Sequence, residues 1–130
     1  MYQPSASEID AVSALRAEER YQYLIKRIAD AERVWSLRNS SGWVLAADDA
    51  GNVLVPIWPH EAFAARCATS QWSDCVPQPI DLGEWRDRWL PGIERDGRTI
   101  AAFPTPDAQG VAVEPARLRQ DLTAELLRYD

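Results

Sequence analysis

The chain has 130 residues, with 20 acidic against 14 basic side chains and a formal net charge of −6. One domain is expected over residues 1–130, with residues 1–6 as a tail, and a chain of this length buries enough surface to need neither metal nor disulfide support. No apolar run approaches the ~20 residues of a membrane span. The first ten residues lack a basic-then-apolar leader pattern, and an acidic surface repels phosphate. Membrane and nucleic acid are therefore disfavoured as partners, and the cytoplasm is the expected compartment.

In chain order, Ser5-Ala6-Ser7-Glu8 has capping-box spacing, and Ile9, Val12 and Leu15 follow at helical intervals. A second helix is predicted from about Ala17, with Tyr21, Leu24, Ile25 and Ile28 on its apolar face. The period then shortens. Val34–Leu37, Trp43–Ala47 and Val53–Trp58 read as three strands joined by Asn39-Ser40-Ser41-Gly42 and by Asp48 to Asn52, a meander by its turn chemistry. Pro56 cannot donate to a ladder, which places the third strand at an edge or on a bulge.

Pro59 is suited to the first turn of a helix over residues 59–68. Val76–Ile80 reads as a short strand weakened by Pro77 and Pro79. Asp81 and Glu84 repeat the capping-box spacing ahead of Leu82, Trp85, Trp89 and Ile93, a helical face that Pro91 is expected to kink or end. Thr99–Phe103 and Gly110–Val113 read as a hairpin across Pro104-Thr105-Pro106-Asp107. Pro115 opens a last helix with Leu118, Leu122, Leu126 and Tyr129 inward. The order αα-βββ-α-(β)-α-ββ-α predicts an α+β fold with an antiparallel or mixed sheet of five to six short strands.

Known chemistries find little support. His60 and Cys67 on one helix stand about 10 Å apart along its axis at ~1.5 Å per residue, too far to share a zinc ion. They read as a packed thiol and an exposed or helix-start histidine. Cys67 and Cys75, eight apart across a loop, have geometry open to a disulfide, but they lack redox-motif spacing and cytoplasmic thiols usually remain reduced. No nucleophile elbow, phosphate loop or dinucleotide fingerprint is present. The acid pairs Glu84-Asp87 and Asp121-Glu125 interleave with arginine as solvated helix faces do. Neither metal nor cofactor is expected.

Six tryptophans in 130 residues is the clearest anomaly. Trp85 and Trp89 fall on the apolar helix face and read as core. Trp35 and Trp43, in adjacent strands, read as cross-strand packing. Trp58, at a strand end, and Trp72, in the polar loop Ser70-Gln71-Trp72-Ser73, stand as binding candidates.

The segments Arg20-Tyr21, Val34-Trp35-Ser36-Leu37, Gly42-Trp43, Val55-Pro56-Ile57-Trp58-Pro59-His60, Ala65 to Thr69, Trp89-Leu90-Pro91-Gly92-Ile93 and Phe103-Pro104-Thr105-Pro106 resemble the bacterial domain of unknown function 2750. The likeness runs from about residue 8 to 127. It implies a small stand-alone bacterial protein, and it supplies no catalytic residues to carry over. The order of elements is more loosely similar to SseB-like domains, which are associated with secretion and toxin-immunity contexts.

The leading expectation is a non-enzymatic protein-binding domain, immunity-like or adaptor, for which a basic partner is electrostatically suited. A small-molecule binder or enzyme of unfamiliar type is the alternative. Its candidate site residues are Trp58, His60, Trp72, Phe103 and Thr105, provided the Trp58-Pro59-His60 and Phe103 to Pro106 segments converge. An oligomer-forming structural protein is the third reading.

Overall fold

The computed structural model describes residues 4–128. Helices α1 (Ala6–Ser13) and α2 (Ala17–Ala31) lead into β1 (Arg33–Asn39), β2 (Gly42–Trp43), β3 (Ala46–Ala47) and β4 (Val53–Ile57). Then come α3 (Glu61–Arg66), a 3-10 turn (Ser70–Trp72), β5 (Val76–Asp81), α4 (Leu82–Glu84), a π-turn (Trp85–Trp89), α5 (Leu90–Arg95), β6 (Thr99–Ala102), β7 (Val111–Val113) and α6 (Pro115–Leu127). The class is α+β, with seven short strands. Ser5 caps α1 through its hydroxyl, which accepts from the Glu8 amide at 3.1 Å. The expected tail therefore gives way to helix at Ala6, and its first three residues lie outside the described part, as does Tyr129.

The strands form two sheets, ordered β2-β1-β5 and β3-β4-β6-β7. The predicted second strand divides at Val44-Leu45, so the meander passes from one sheet to the other. Paired backbone bonds between Trp35 and Trp58, 3.0 and 2.8 Å, join the sheets. All pairings are antiparallel except β4 with β6, which are parallel. Pro56 is not on an edge strand as expected, because β4 runs between β3 and β6. β3 pairs only with Val53 and Leu54, so Pro56 lies beyond its reach. There the Pro56 carbonyl instead accepts from the buried Ser36 hydroxyl at 2.7 Å.

β5 tolerates its prolines for a related reason. Trp35 and Leu37, their cross-strand partners, direct backbone bonds away from β5, toward Trp58 and Val44. Pro79 and Pro77 thus occupy positions where no ladder donor is needed.

One face of the four-stranded sheet packs into the core. Tyr21, Leu24, Ile25 and Ile28 of α2 and Leu118 and Leu122 of α6 meet Ile57, Ile100, Ala102 and Val113 there, all buried. Full burial of each large side chain contributes about 1.5–3 kcal/mol. Tyr21 Oη donates to Asp121 at 2.6 Å, tying α2 to α6, and burial with that carboxylate holds the phenol well above its usual pKa.

Helix α3 starts two residues later than predicted. His60 is its N-cap, with Nδ1 accepting from the Ala62 amide at 3.1 Å, and Pro59 precedes the cap. Pro91, expected to kink or end its helix, sits inside continuous helical structure from Leu82 to Arg95. The turn ahead of it is widened: the Leu90 amide reaches back five residues to the Trp85 carbonyl. Such a π-turn accommodates the missing proline donor.

Candidate binding site

Parallel β4 and β6 bring their carboxyl ends side by side, so the segments that follow them meet. The Phe103 amide donates to the Ile57 carbonyl at 2.9 Å. The Pro104 carbonyl accepts from Trp58 Nε1 at 2.8 Å and from Cys67 Sγ at 3.3 Å. Phe103 itself lies in the left-handed region, with φ 58°. This is an unfavourable conformation for an aromatic residue. Arg20, only 4% exposed, donates from Nε to the Phe103 carbonyl at 3.2 Å and from a terminal nitrogen to the Leu15 carbonyl. The Phe103 ring stacks edge-on against Phe63 at 4.9 Å. Backbone, indole, thiol and guanidinium together over-determine the loop and hold the strained residue in place.

Beside this loop a cleft of about 360 Å³ opens on the sheet face opposite the core. Its floor is Ala46, Leu54, Pro56 and Ala101, which share one face by register, and their modest size leaves it concave. Trp72 forms one wall, and Pro104 to Gln109 the other. Gln71, Thr105, Asp107 and Gln109 supply polar groups, and Asp107 is the single ionisable side chain of the lining. A recess of about 250 Å³, lined also by Cys67, Thr69 and Ser70, shares Gln71, Trp72, Thr105 and Pro106 with the cleft.

The sequence candidates thus separate by depth. Trp72 and Thr105 are half-buried and line the cleft. Trp58 and Phe103 are fully buried beneath it and shape the loop without presenting a surface. The Trp58 and Trp72 rings meet edge-on at 6.3 Å. His60 is half-buried outside the lining, where it caps α3 and its ring lies 6.2 Å from Trp35. Trp35 and Trp43 do not pack on each other as expected. Trp43 instead meets Trp89 at 4.9 Å. Trp89 is half-buried, packed against the core rather than within it. Among the described residues no group of three or more His, Cys, Asp or Glu side chains is placed to hold a metal ion.

Arg20 enters the sequence reading only within the family-like segment Arg20-Tyr21, and its buried role goes unread, since an arginine on an amphipathic helix ordinarily reads as solvated. Its only local signal is its place beside Tyr21 at the start of the buried stripe.

Both cysteines are free and buried. Burial pushes the Cys67 thiol up to about 11, from an ordinary 9.0. Between those values the unfolded chain has lost this proton and the folded chain retains it, so stability falls as pH rises from about 9 to about 11. Urea midpoints across this range are expected to decline less in Cys67→Ala than in the parent. Equal slopes would remove the thiol as the cause.

The fold is α+β, and its pinned loop forms one wall of a cleft. The family model described as a protein of unknown function, DUF2750, matches residues 21–122, and the chain belongs to that family. No curated protein and no solved structure matches the chain.

Proposed function

We propose that the chain is a binding domain, not a catalyst, and that the cleft beside Trp72 takes a small neutral or cationic ligand. The carrying observation is a strained loop, held by Trp58, Cys67 and Arg20, that walls a concave site at the carboxyl ends of two parallel strands. Backbone strain maintained by surrounding structure is a mark of functional sites, and ligand sites of α/β sheets favour such strand ends. A volume of about 360 Å³ suits a compact ligand. Trp72 offers an aromatic wall, and the amide and hydroxyl groups offer orientation. Asp107, unaccompanied by any basic side chain in the lining, selects against anions.

Benzamidine, benzyl alcohol and benzoate test this reading as NMR titrants. The first two are expected to shift the amide signals of Thr105 and Ala108, with benzamidine tighter. Asp107→Asn is expected to erase that preference, and Trp72→Ala to weaken both about tenfold, the effect of a lost aromatic contact. Titration without any shift at these amides, or benzoate binding there as well as benzamidine, would defeat it.

The second reading is a protein-binding domain whose basic partner inserts a lysine or arginine side chain into the same cleft. It is favoured by the presence of Asp107 and Trp72 in one lining and by the net charge of −6. Under it, binding would be lost with moderate salt and benzyl alcohol would leave the loop unperturbed.

A further inference from the structure

A second cleft, of about 310 Å³, lies on the other face of the four-stranded sheet. Val55 lines it, whereas Leu54 and Pro56 line the first, and alternate residues of a strand face opposite ways. Its character is also opposite. The walls are Trp43 and Trp89, whose rings meet edge-on at 4.9 Å. Arg88 and Arg98 stand in the lining, with Asp96 as its one acid. Arg38 places its guanidinium over the Trp43 ring at 5.3 Å from the centroid.

These arginines are distinguished by their place: two stand in the cleft lining and one lies over a ring that walls it. Arg16, Arg27, Arg66, Arg117, Arg119 and Arg128 each face a carboxylate. Arg38, Arg88 and Arg98, like Arg33, Arg86 and Arg95 elsewhere, appear in none of the ion pairs or side-chain hydrogen bonds found among the described residues. In a chain where acids outnumber bases 20 to 14, three arginines without carboxylate partners gather beside two half-buried tryptophans. The π-turn helps to assemble them. It lets the helix run through Pro91, so that Arg88 and Trp89 at its end and Arg98, just ahead of β6, border one cavity. Widened turns of this kind are frequent at functional sites.

We propose that this cleft binds an aromatic anion, a planar ring bearing a carboxylate or phosphate group. The ring lies against Trp43 and Trp89, and the anionic group is held by the Arg88 and Arg98 guanidiniums, whose planar forks match such oxygens. Arg38 adds positive potential from the sheet side. Asp107 gives the first cleft the reverse preference, so the two faces of one sheet select ligands of opposite charge.

The test is an NMR titration of the full chain with benzoate, phenyl phosphate and inorganic phosphate, read at the indole N–H signals of Trp43 and Trp89. At least one ring-bearing anion is expected to shift both signals, and inorganic phosphate to bind about tenfold or more weakly for want of the ring. Comparing benzoate with phenyl phosphate distinguishes the two anionic groups. Arg88→Ala with Arg98→Ala is expected to weaken binding about tenfold or more, as loss of charge-assisted hydrogen bonds does. The matching Gln pair gives the same readout should the alanine pair fold poorly. Absence of any shift at the two indoles with either ring anion overturns the proposal. So does unchanged affinity in a folded double variant, or ring-free phosphate binding as tightly as phenyl phosphate. The first cleft is read at other signals, the Thr105 and Ala108 amides, so its outcome is independent.

Discussion

Trp58→Ala is expected to lower the unfolding free energy by about 3–5 kcal/mol, the range for truncating a large aromatic in a close-packed core. The side chain is wholly buried, lies edge-on to Trp72 and donates to the Pro104 carbonyl. A domain of this size is stable by only about 5–15 kcal/mol, so this variant stands near the limit of folding. Trp58→Phe separates the contributions. It retains most of the apolar contact and loses the donor, for an expected cost of about 1–2 kcal/mol. That loss is limited because Cys67 Sγ still reaches the same oxygen. Combining Trp58→Phe with Cys67→Ala leaves a buried carbonyl without either donor and should cost more than the two single changes summed. Urea unfolding measures all of these. A Trp58→Ala loss under about 1 kcal/mol would contradict the packing argument.

Gly110→Ala is the second large effect. Gly110 has φ 81°, and a Cβ there would stand 2.4 Å from the Ala102 carbonyl oxygen and 3.0 Å from the Pro104 nitrogen. Both neighbours are backbone, so relief requires the loop to move. The expected loss is about 2–3 kcal/mol from strain of this kind, or about 3–5 °C in Tm for each kcal/mol at this chain length. Gly97→Ala is the internal control. Gly97 is also left-handed, φ 69°, but a Cβ added there would meet nothing within 4 Å. Only the conformational cost of about 1–2 kcal/mol should remain. Equal Tm changes in the two variants would deny the close approach at Gly110.

Local order was readable from the chain. The stripe Tyr21, Leu24, Ile25 and Ile28 is buried as its period predicts, and so are Leu118 and Leu122. Ser5 and Asp81 cap their helices, as their spacing to Glu8 and Glu84 predicts. Pairing over long separations was not readable. Val53–Ile57 and Thr99–Ala102 each read as strands, but nothing local says that they lie parallel. The cleft follows from that pairing. Trp58 illustrates the same difficulty: at a strand end it looks equally fit for surface or core, and the distant Pro104 carbonyl decides it. The left-handed Phe103 leaves no compositional trace, since glycine is the usual sign of such a position. Pro91 is legible only in part. The helix does not end there, and the chain widens just ahead of it into a π-turn that no local signal announces.

The proline spacing of β5 bears on association as well as on folding. β5 is the outer strand of its sheet, and Val76 at its start is 54% exposed. An outer strand of this kind ordinarily offers a row of free amides to a passing chain. Between Val76 and Ile80 the amides that would face outward belong to Pro77 and Pro79, and neither exists. A second copy, or a fibril nucleus, therefore meets carbonyls without matching donors and cannot zip onto this margin.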